Sequence, residues 1–323
     1  MRVKLAALAA MMLGAIACSV PALAQQYPTR PVRIVVPFLP GAGNDTLGRL
    51  TAEHLTPRLG QPVFVENKAG AGSQIGIELV ARSSPDGYNL VWAASDGITI
   101  LPAVKSSVPY KVPDDFSFIA RIVQLPFVIA VNPQLPIKSV ADLIAYAKAN
   151  PGKLKYGTSG IGGGPHMGSA LLGNAAGVDM LHIPYSGVSA AVNALLAGTI
   201  DFALVTPQTV KPYTDAGSFR AIATTGKERH PLFPDIPTLE QSGLPVVVVV
   251  WYGMLAPAGV PEPILARLRK EVADVLKDPA VLQRLNALGY QASYLAGDEF
   301  KEFVVKDLEQ WKAVAKSANI VAE

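Results

Sequence analysis

Short apolar runs alternate with amphipathic stretches along most of the chain, and small or polar residues separate them. The first apolar run covers residues 34–38, and an amphipathic stretch with leucines at 47, 50 and 55 follows it. Prolines and glycines between residues 37 and 43 predict a turn between the two. Strand, glycine-rich turn and helix in this order are typical of an α/β unit with a mostly parallel sheet.

The alternation continues with predicted strands at 62–66 and 89–94, separated by a predicted helix at 73–81. The strand at 89–94 ends in Ser95-Asp96-Gly97, and glycines or small polar residues also follow the two earlier strands. Because the carboxyl ends of parallel strands meet at one edge of a sheet, we expect these residues to lie close together.

A second series of the same kind begins after residue 121. Ser139 and Asp142 predict the start of a helix that runs through Lys148. Strands are then predicted at 153–159, 181–185, 201–205 and 220–224, with helices beginning near Pro165 and Ser189. From residue 261 onward the apolar positions recur at three- and four-residue steps, which predicts long helices.

We therefore expect an α/β protein of two lobes, each a mostly parallel sheet flanked by helices. The C-terminal helices should return to cover the first lobe. Residues 25–124 and 250–323 would form the first lobe and residues 125–249 the second. Two chain crossings, near 122–126 and 248–252, would then act as a hinge.

Residues 1–24 have the pattern of a secretory leader. Arg2 and Lys4 precede an apolar stretch, and Ala22-Leu23-Ala24 ends it in the small-residue pattern of a cleavage site. The pattern predicts export, cleavage after Ala24 and a soluble product. Cys18, the only cysteine, lies in this leader, so no disulfide or thiolate metal site is expected in the remainder.

Charge excludes two classes of partner. Of the 28 basic residues, Arg2 and Lys4 lie in the leader, which leaves 26 basic against 25 acidic residues. Such a balance argues against nucleic acid and against an anionic membrane surface, because both call for a strongly basic face. No later run of apolar residues is long enough to predict a membrane span.

The first glycine-rich turn, residues 37–45, leaves three alternatives open. Main-chain N–H groups and a helix N-terminus favour an anionic ligand. Gly41 and Gly43, with Glu66 after the next strand, also resemble a dinucleotide-binding fingerprint, but the third glycine is missing and Pro37 and Pro40 stiffen the turn. The third alternative is a turn without a ligand.

The second glycine-rich turn has the sequence YGTSGIGGGPHM, residues 156–167. A nucleophile elbow is not indicated, because that motif requires glycine where Ile161 stands. Thr158 and Ser159 instead offer hydroxyls beside free N–H groups just before a helix, a set that suits a carboxylate. His166 lies in the first turn of this helix, where the dipole favours a neutral imidazole.

The remaining histidines, His54, His182 and His230, are interpreted as isolated. No pattern such as H-x-x-x-H or H-E-x-x-H occurs, so neither a metal nor another cofactor is expected.

Several blocks together resemble one family. They are YPTRPVRIVVPFLPGAGND, PVFVENKAGAGSQIG, SSPDGYNLVWAAS, KLKYGTSGIGGGPHMG, VDMLHIPYSG and WYGMLAPAGVPEP. In this order they closely resemble the periplasmic solute-binding proteins of tripartite tricarboxylate transporters, also called the Bug family. The resemblance runs from about Tyr27 to Ile320.

The resemblance implies a two-lobed, type II-like "Venus flytrap" that binds a small carboxylate between its lobes, without catalysis. The ligand would be a di- or tricarboxylate or an aromatic carboxylate, held by main-chain N–H groups, small hydroxyls and water. Carried onto this chain, the implied ligand contacts are Phe38, Pro40, Gly41, Ala42, Gly43, Asn44, Ser95, Asp96, Thr158, Ser159, Gly160, Gly163, Gly164, His166, Tyr185 and Thr206.

The implied partners are the membrane permease subunits of such a transporter, and the receptor itself is expected to be a monomer. Two alternatives stay open. One is a ligand-sensing periplasmic receptor. The other is an exported hydrolase that uses Ser159 and His166, which would require a third group to orient the histidine.

Overall fold

The structure is a computed structural model that describes residues 27–41 and 43–321. The predicted leader, its cleavage site and Ala42 of the first glycine-rich turn lie outside the described residues. In the part that is described, the chain forms two lobes, each with its own sheet and helices. This confirms the two-lobed α/β fold that the alternating pattern predicts.

Lobe 1 contains a six-stranded sheet. Its strands are β1 (Val32–Val36), β2 (Val63–Asn67), β3 (Asn89–Ala94), β4 (Phe116–Pro126), β10 (Val249–Pro257) and β11 (Gln291–Ala296). Its helices are α1 (Gly43–Leu59), α2 (Gln74–Ala81), α3 (Leu101–Val104), α8 (Glu262–Val275), α9 (Pro279–Ala287) and α10 (Gly297–Ser317). A 3₁₀ turn at Ala71–Ser73 precedes α2, and a π-helical turn at Asp96–Ile100 leads into α3.

Lobe 2 contains a five-stranded sheet. Its strands are β5 (Val128–Val131), β6 (Lys155–Thr158), β7 (Leu181–Pro184), β8 (Phe202–Val205) and β9 (Arg220–Thr224). Its helices are α4 (Val140–Ala149), α5 (Gly164–Ala176), α6 (Val188–Leu196) and α7 (Pro207–Asp215), and a 3₁₀ turn follows at Glu240–Ser242. The predicted cap of α4 is confirmed, because Asp142 N–H donates to the Ser139 hydroxyl at 3.1 Å.

Both sheets are mixed, whereas the alternation predicts mostly parallel sheets. In lobe 1 the strand order is β11-β4-β10-β3-β1-β2, and β1 pairs in parallel with β2 and β3 while β10 and β11 pair antiparallel. In lobe 2 the order is β7-β6-β8-β5-β9, and β5 is antiparallel to both of its neighbours. The chain leaves lobe 1 along β4 and returns along β10, so these two paired strands must run in opposite directions.

Strand β11 lies in the region from residue 261 onward, which the sequence predicts to be mostly helical and in which it predicts no strand. Its sequence, QASYLA, has no run of buried apolar residues and no residue in it is fully buried, so it carries no strong strand signal. Pairing with β4 at the edge of the sheet fixes its extended conformation. The helices around it contact lobe 1 as predicted: α8 packs on β4 and α1, and α10 packs on β4.

The core explains why β3 reads as a continuous apolar run. Residues 90–94 are buried on both faces, with the Trp92 side chain fully enclosed. A strand covered by helices on both sides has no solvent face and needs no polar alternation. No helix in the described ranges is both long enough and apolar enough to cross a membrane.

Candidate functional site

Two sheet edges face each other between the lobes. The parallel strands β1, β2 and β3 end at one edge of lobe 1, and β6, β7 and β8 end at one edge of lobe 2. Gly164 N–H, at the start of α5, donates a hydrogen bond to the Asp96 carboxylate, which follows β3. Asp96 and Gly164 thus meet between the lobes, in the cleft that the two sheet edges form.

Asp96 begins a segment that is held firmly in lobe 1. Thr99 Oγ1 lies 2.6 Å from Asp307 of α10, and the Trp251 indole N–H donates to the same carboxylate at 2.9 Å. The Tyr110 hydroxyl donates to the Gly97 carbonyl at 2.6 Å. Thr99 and Gly97 thus tie the π-helical turn to lobe 1 at two points, and Trp251 holds the Asp307 carboxylate, so Asp96 is carried by a well-supported segment rather than by a loose loop.

Asp96 lies deep between the lobes but keeps a partly exposed side chain, as expected at the floor of a cleft. Burial raises the pKa of its carboxyl above the usual value, and the N–H groups of Gly164 and of Asp96 itself offset this only in part. Among the described residues Asp96 takes part in no salt bridge. Its charge is therefore balanced by main-chain dipoles alone.

The first glycine-rich turn is organised by a carboxylate of its own. Asp45, which is 4% exposed, accepts hydrogen bonds from Gly41 N–H at 2.9 Å, from Arg49 at 3.0 Å and from the Asn67 amide at 2.8 Å. Burial alone would raise the pKa of Asp45, but these bonds outweigh it and the pKa is lowered. One N–H expected to be free for a ligand is thus used inside the turn.

The rest of this turn has mixed exposure. Phe38 packs partly buried against the core and Pro40 is exposed, while Gly41 has a φ of 81°, which favours glycine. Gly43 has no room for a side chain, because a Cβ there would lie 2.5 Å from the Tyr290 hydroxyl oxygen. The Asn44 side-chain oxygen is buried without a partner. Such an orphaned atom marks a place for a ligand or water.

The dinucleotide interpretation of the first turn finds no support at Glu66. Arg33 and Lys68 each form an ion pair with the Glu66 carboxylate at 2.7 Å. A ribose would have to compete with both cations for this carboxylate.

The second glycine-rich turn rests on a cluster of rings. The imidazoles of His166 and His182 stack with centroids 3.7 Å apart, and Tyr156 stacks on His182 at 5.0 Å. The Thr158 hydroxyl lies 2.6 Å from His182 Nε2 and 2.8 Å from the Gly160 carbonyl. The interpretation of His182 as isolated is wrong. Strand pairing places it beside Tyr156, and α5 then brings His166 over it.

The neutral state predicted for His166 agrees with its environment. Burial, with a smaller contribution from His182, lowers the pKa of His166 to about 4, and burial lowers the pKa of His182 to about 4. Gly162 N–H donates to His166 Nδ1 at 3.0 Å, so this nitrogen must stay unprotonated. The imidazole thereby holds the turn that precedes α5.

The other predicted contacts of lobe 2 lie around this turn. Ser159 is exposed, Gly160 has a φ of 139°, and Gly163 forms the N-terminal cap of α5. A Cβ on Gly164 would lie 3.0 Å from Val250, so the absence of a side chain lets α5 approach the crossing strand.

Tyr185 and Thr206 lie farther along the same sheet edge. Tyr185 N–H donates to the Thr158 carbonyl at 3.0 Å, and its ring packs on the core of lobe 2. Thr206 lines a cavity of about 310 Å³ between the first turns of α6 and α7, and its hydroxyl lies 2.9 Å from that of Thr209.

Sequence reasoning missed three side chains of the cleft. The carboxylate of Asp96 acts on the Tyr252 hydroxyl, whose ring packs edge-on against Tyr290 at 5.7 Å. Gln208, at the start of α7, reaches lobe 1 at Gly289 and has a buried, unpaired amide nitrogen. Gln208 could have been found from the sequence, because it lies just after β8, where the other predicted contacts of lobe 2 also follow strands. Tyr290 could not, because it lies in a region predicted to be mostly helical and follows no predicted strand.

Two further contacts join the lobes. The His230 side chain hydrogen-bonds the Gly289 main chain, and the Asn174 amide donates to the Ser317 hydroxyl at 2.6 Å. A cavity of about 530 Å³ lies behind the second turn, between α5 and residues 317–321. The rings of Tyr156, His166 and His182 line it, whereas Asp96 and Gly164 do not. Within the described ranges, no group of three acidic, histidine or cysteine side chains is arranged to hold a metal ion.

Comparison with known proteins gives a consistent result. Residues 47–320 match the family described as the tripartite tricarboxylate transporter family receptor. Protein BugT of Bordetella pertussis is 31% identical over 319 residues, covering 97% of each chain.

Two solved structures of Rhodopseudomonas palustris proteins are also similar. One was solved with adipate; it is 30% identical, has a TM-score of 0.74, and the match covers 91% of this chain and 99% of that one. The other, MatC with bound malate, is 30% identical with a TM-score of 0.71, and the match covers 89% and 99% of the two chains. This chain therefore belongs to the tripartite tricarboxylate transporter receptor family, which includes the Bug proteins.

Proposed function

We propose that this receptor captures a small carboxylate between its lobes in the periplasm and delivers it to the membrane subunits of a tripartite transporter. One observation carries the ligand class: the N-terminus of α5 already holds a carboxylate, that of Asp96, through Gly164 N–H. A helix N-terminus with free amides is a general anion site. Malate and adipate in the two similar structures support the same class.

The proposed contacts are the sixteen positions implied by the resemblance, with Tyr252, Tyr290 and Gln208 added from the structure. Orphaned polar atoms of Asn44 and Gln208, on opposite lobes, support a polar ligand between them. A ligand that satisfies both atoms would contact both lobes at once.

We place the hinge where the chain changes sheets. Strand β4 ends at Pro126 and β5 begins at Val128, while the return crossing enters β10 at Val249. Val249 pairs with Pro126, so the two crossings lie side by side, which suits a hinge between lobes. The proposed domain bounds of 124/125 and 249/250 fall within a few residues of these points.

The proposed localisation and oligomeric state are inferred from the sequence. The receptor would be exported, cleaved after Ala24, and act as a monomer without a cofactor. Intact-mass measurement of protein from the periplasm would show whether Gln25 is the first residue.

A thermal-shift screen of carboxylates against ligand-stripped protein tests the central proposal. A ligand present at a hundred times its Kd should stabilise the protein by about 2.7 kcal/mol. Calorimetry with each hit and its neutral amide then decides the chemistry, because dipoles that favour a charged carboxylate bind the amide much more weakly. Equal affinity for acid and amide would contradict the proposal.

A further inference from the structure

Asp96 differs from the other buried carboxylates of this protein in what balances its charge. Asp45 has Arg49 at 3.0 Å, Glu271 has Arg267 at 3.4 Å, and Arg121 acts on Asp307. For Asp96 the described residues supply two main-chain N–H groups and no salt bridge. A buried carboxylate of this kind is costly unless another donor comes to it.

The place where that donor would sit is the ligand cleft itself. A carboxylate has room for about four hydrogen bonds on its two oxygens, and the amides of Gly164 and Asp96 leave part of that capacity unused. Asp96 is partly exposed and contacts Gly164 of the other lobe, so a molecule bound between the lobes can reach it. The Thr99–Asp307 hydrogen bond holds the segment that carries Asp96 in place.

An unsubstituted diacid meets a difficulty here. Its carboxylate at the start of α5 would stand next to the carboxylate of Asp96, and like charges at such a distance repel. A ligand with an ammonium or hydroxyl group next to its carboxylate avoids this, because its carboxylate faces the amides while its donor faces Asp96.

We propose that Asp96 makes the receptor selective for acids that carry a hydrogen-bond donor beside the carboxylate, namely amino or hydroxy acids, over the plain diacids of the same skeleton. This inference rests on the proposed carboxylate-binding function and narrows its ligand class. Asp96 would accept the ligand's donor, and Gly164 N–H would be shared with or released to the ligand's carboxylate.

Matched ligand series test the inference by calorimetry at pH 7 on the full mature protein. The four-carbon series is succinate, malate and aspartate; the five-carbon series is glutarate, 2-hydroxyglutarate and glutamate. Within the series that binds, the substituted acids should bind about 10- to 100-fold more tightly than the plain diacid, as expected for a hydrogen bond to a charged acceptor. This comparison needs no variant.

The variant Asp96→Asn should narrow or invert that preference. The amide keeps the shape of the side chain and can still accept from Gly164, but it carries no charge. Substituted acids should lose about 10-fold or more in affinity, while the plain diacid should bind equally or better. Asp114→Asn is the matched control, because Asp114 is exposed and outside the cleft, and it should leave all affinities unchanged.

Proton exchange gives a second readout, obtained by repeating the titrations in buffers of different ionisation enthalpy. A plain diacid that binds should take up close to one proton, since two adjacent carboxylates then share it, whereas an amino acid should take up none. The titratable group that acts on Asp96 is the Tyr252 hydroxyl, and the nearest titratable group on α5 in sequence is His166, two residues after Gly164. Both stay neutral at pH 7, since burial raises the pKa of Tyr252 and lowers that of His166.

The possible failures can be told apart. If no carboxylate of the screen binds the protein, the proposed function is overturned and this inference with it. If a carboxylate of the screen binds but no acid of either series does, the carboxylate function stands and this inference is overturned. If acids bind but plain diacids equal their substituted analogues, or Asp96→Asn changes all affinities alike, the carboxylate function stands and the role of Asp96 is overturned.

Discussion

The two glycine-rich turns look alike in sequence but use their N–H groups in opposite ways. In the first turn, Gly41 donates to Asp45, four residues ahead, and Arg49 balances the charge. In the second turn, Gly164 donates across the cleft to Asp96 on the other lobe. The acceptor for the Gly41 amide thus lies in its own turn, whereas the acceptor for the Gly164 amide lies on the other lobe.

The supports of the two turns also differ in kind. The first is held by an ionised carboxylate and an arginine, and the second by the neutral imidazole of His166, which accepts from Gly162. A glycine-rich turn before a helix is therefore no anion site by itself. What matters is whether a nearby side chain has already taken its amides.

The largest expected effect is the loss of Asp45. In Asp45→Ala the Gly41 and Asn67 N–H groups lose a buried acceptor, and each unsatisfied donor costs about 1–3 kcal/mol. Because Arg49 is half exposed and can return to water, we expect a total loss of on the order of 2–3 kcal/mol of unfolding free energy. Urea denaturation measures it.

Asp142→Ala serves as the control, since Asp142 accepts a similar main-chain bond from Lys138 at 2.9 Å but at the surface. Its effect should be much smaller. Equal losses in the two variants would mean that Asp45 does not organise the first turn.

Acid should affect the second turn and spare the first. The pKa of His166 and of His182 is about 4 in the fold and near 6.5 when unfolded, so the unfolded chain binds protons first as pH falls. Stability should therefore drop between about pH 6.5 and 4, on the order of 2 kcal/mol for the pair after allowance for water at His182. Thermal melts across this range test the drop.

NMR separates the two turns in the same range. The Gly162 amide signal should shift as His166 titrates, whereas the Gly41 amide should stay constant, because the lowered pKa of Asp45 keeps its carboxylate ionised. His182→Phe, which keeps a ring on the stack, should remove much of the acid sensitivity. An unchanged pH profile in this variant would refute the role of the imidazole pair.

A smaller effect is expected at Ser159, beside the second turn. Ser159→Ala should weaken carboxylate binding by about 0.5–1.5 kcal/mol, because the main-chain donors remain. Ser159→Asp should weaken it far more, since it sets like charges together. Calorimetry with the best acid of the screen gives both values, and normal affinity in the aspartate variant would place the ligand carboxylate elsewhere.

The smallest measurable change concerns overall shape. A ligand that contacts both lobes binds the closed form more tightly and shifts the population toward it, by no more than its differential affinity. Small-angle scattering should show a smaller radius of gyration for the saturated protein than for the stripped protein. Identical profiles at proven saturation would contradict hinge closure. The two turns would then keep the same separation with and without ligand.

Much of the local structure could be predicted because it depends on neighbouring residues. The alternation of apolar and polar positions predicts β3 at 89–94 and β9 at 220–224 with their observed bounds, and Ser139 predicts the start of α4. The sheet edges on either side of the cleft could also be predicted, because parallel strands end at the same edge of their sheet.

The chemistry of the cleft could be predicted only in outline. The sequence indicates that Asp96 and Gly164 lie at strand or helix ends, but not that they bond to each other. It does not reveal that His182 stacks on His166, nor that Tyr252 lies near Asp96 and Gln208 near Gly289. These contacts join residues far apart in the chain, and no local pattern encodes them.

By itself, then, the sequence determined the family, the two α/β units and the two glycine-rich turns, because period, caps and turn residues act over a few positions. Only the tertiary structure decided the mixed sheets, the strand β11 and which group accepts a hydrogen bond from each glycine-rich turn. The reason is that an amide or a carboxylate is satisfied by whichever group packs against it. For Gly41 that group is the neighbouring Asp45, and for Gly164 it is Asp96 on the other lobe.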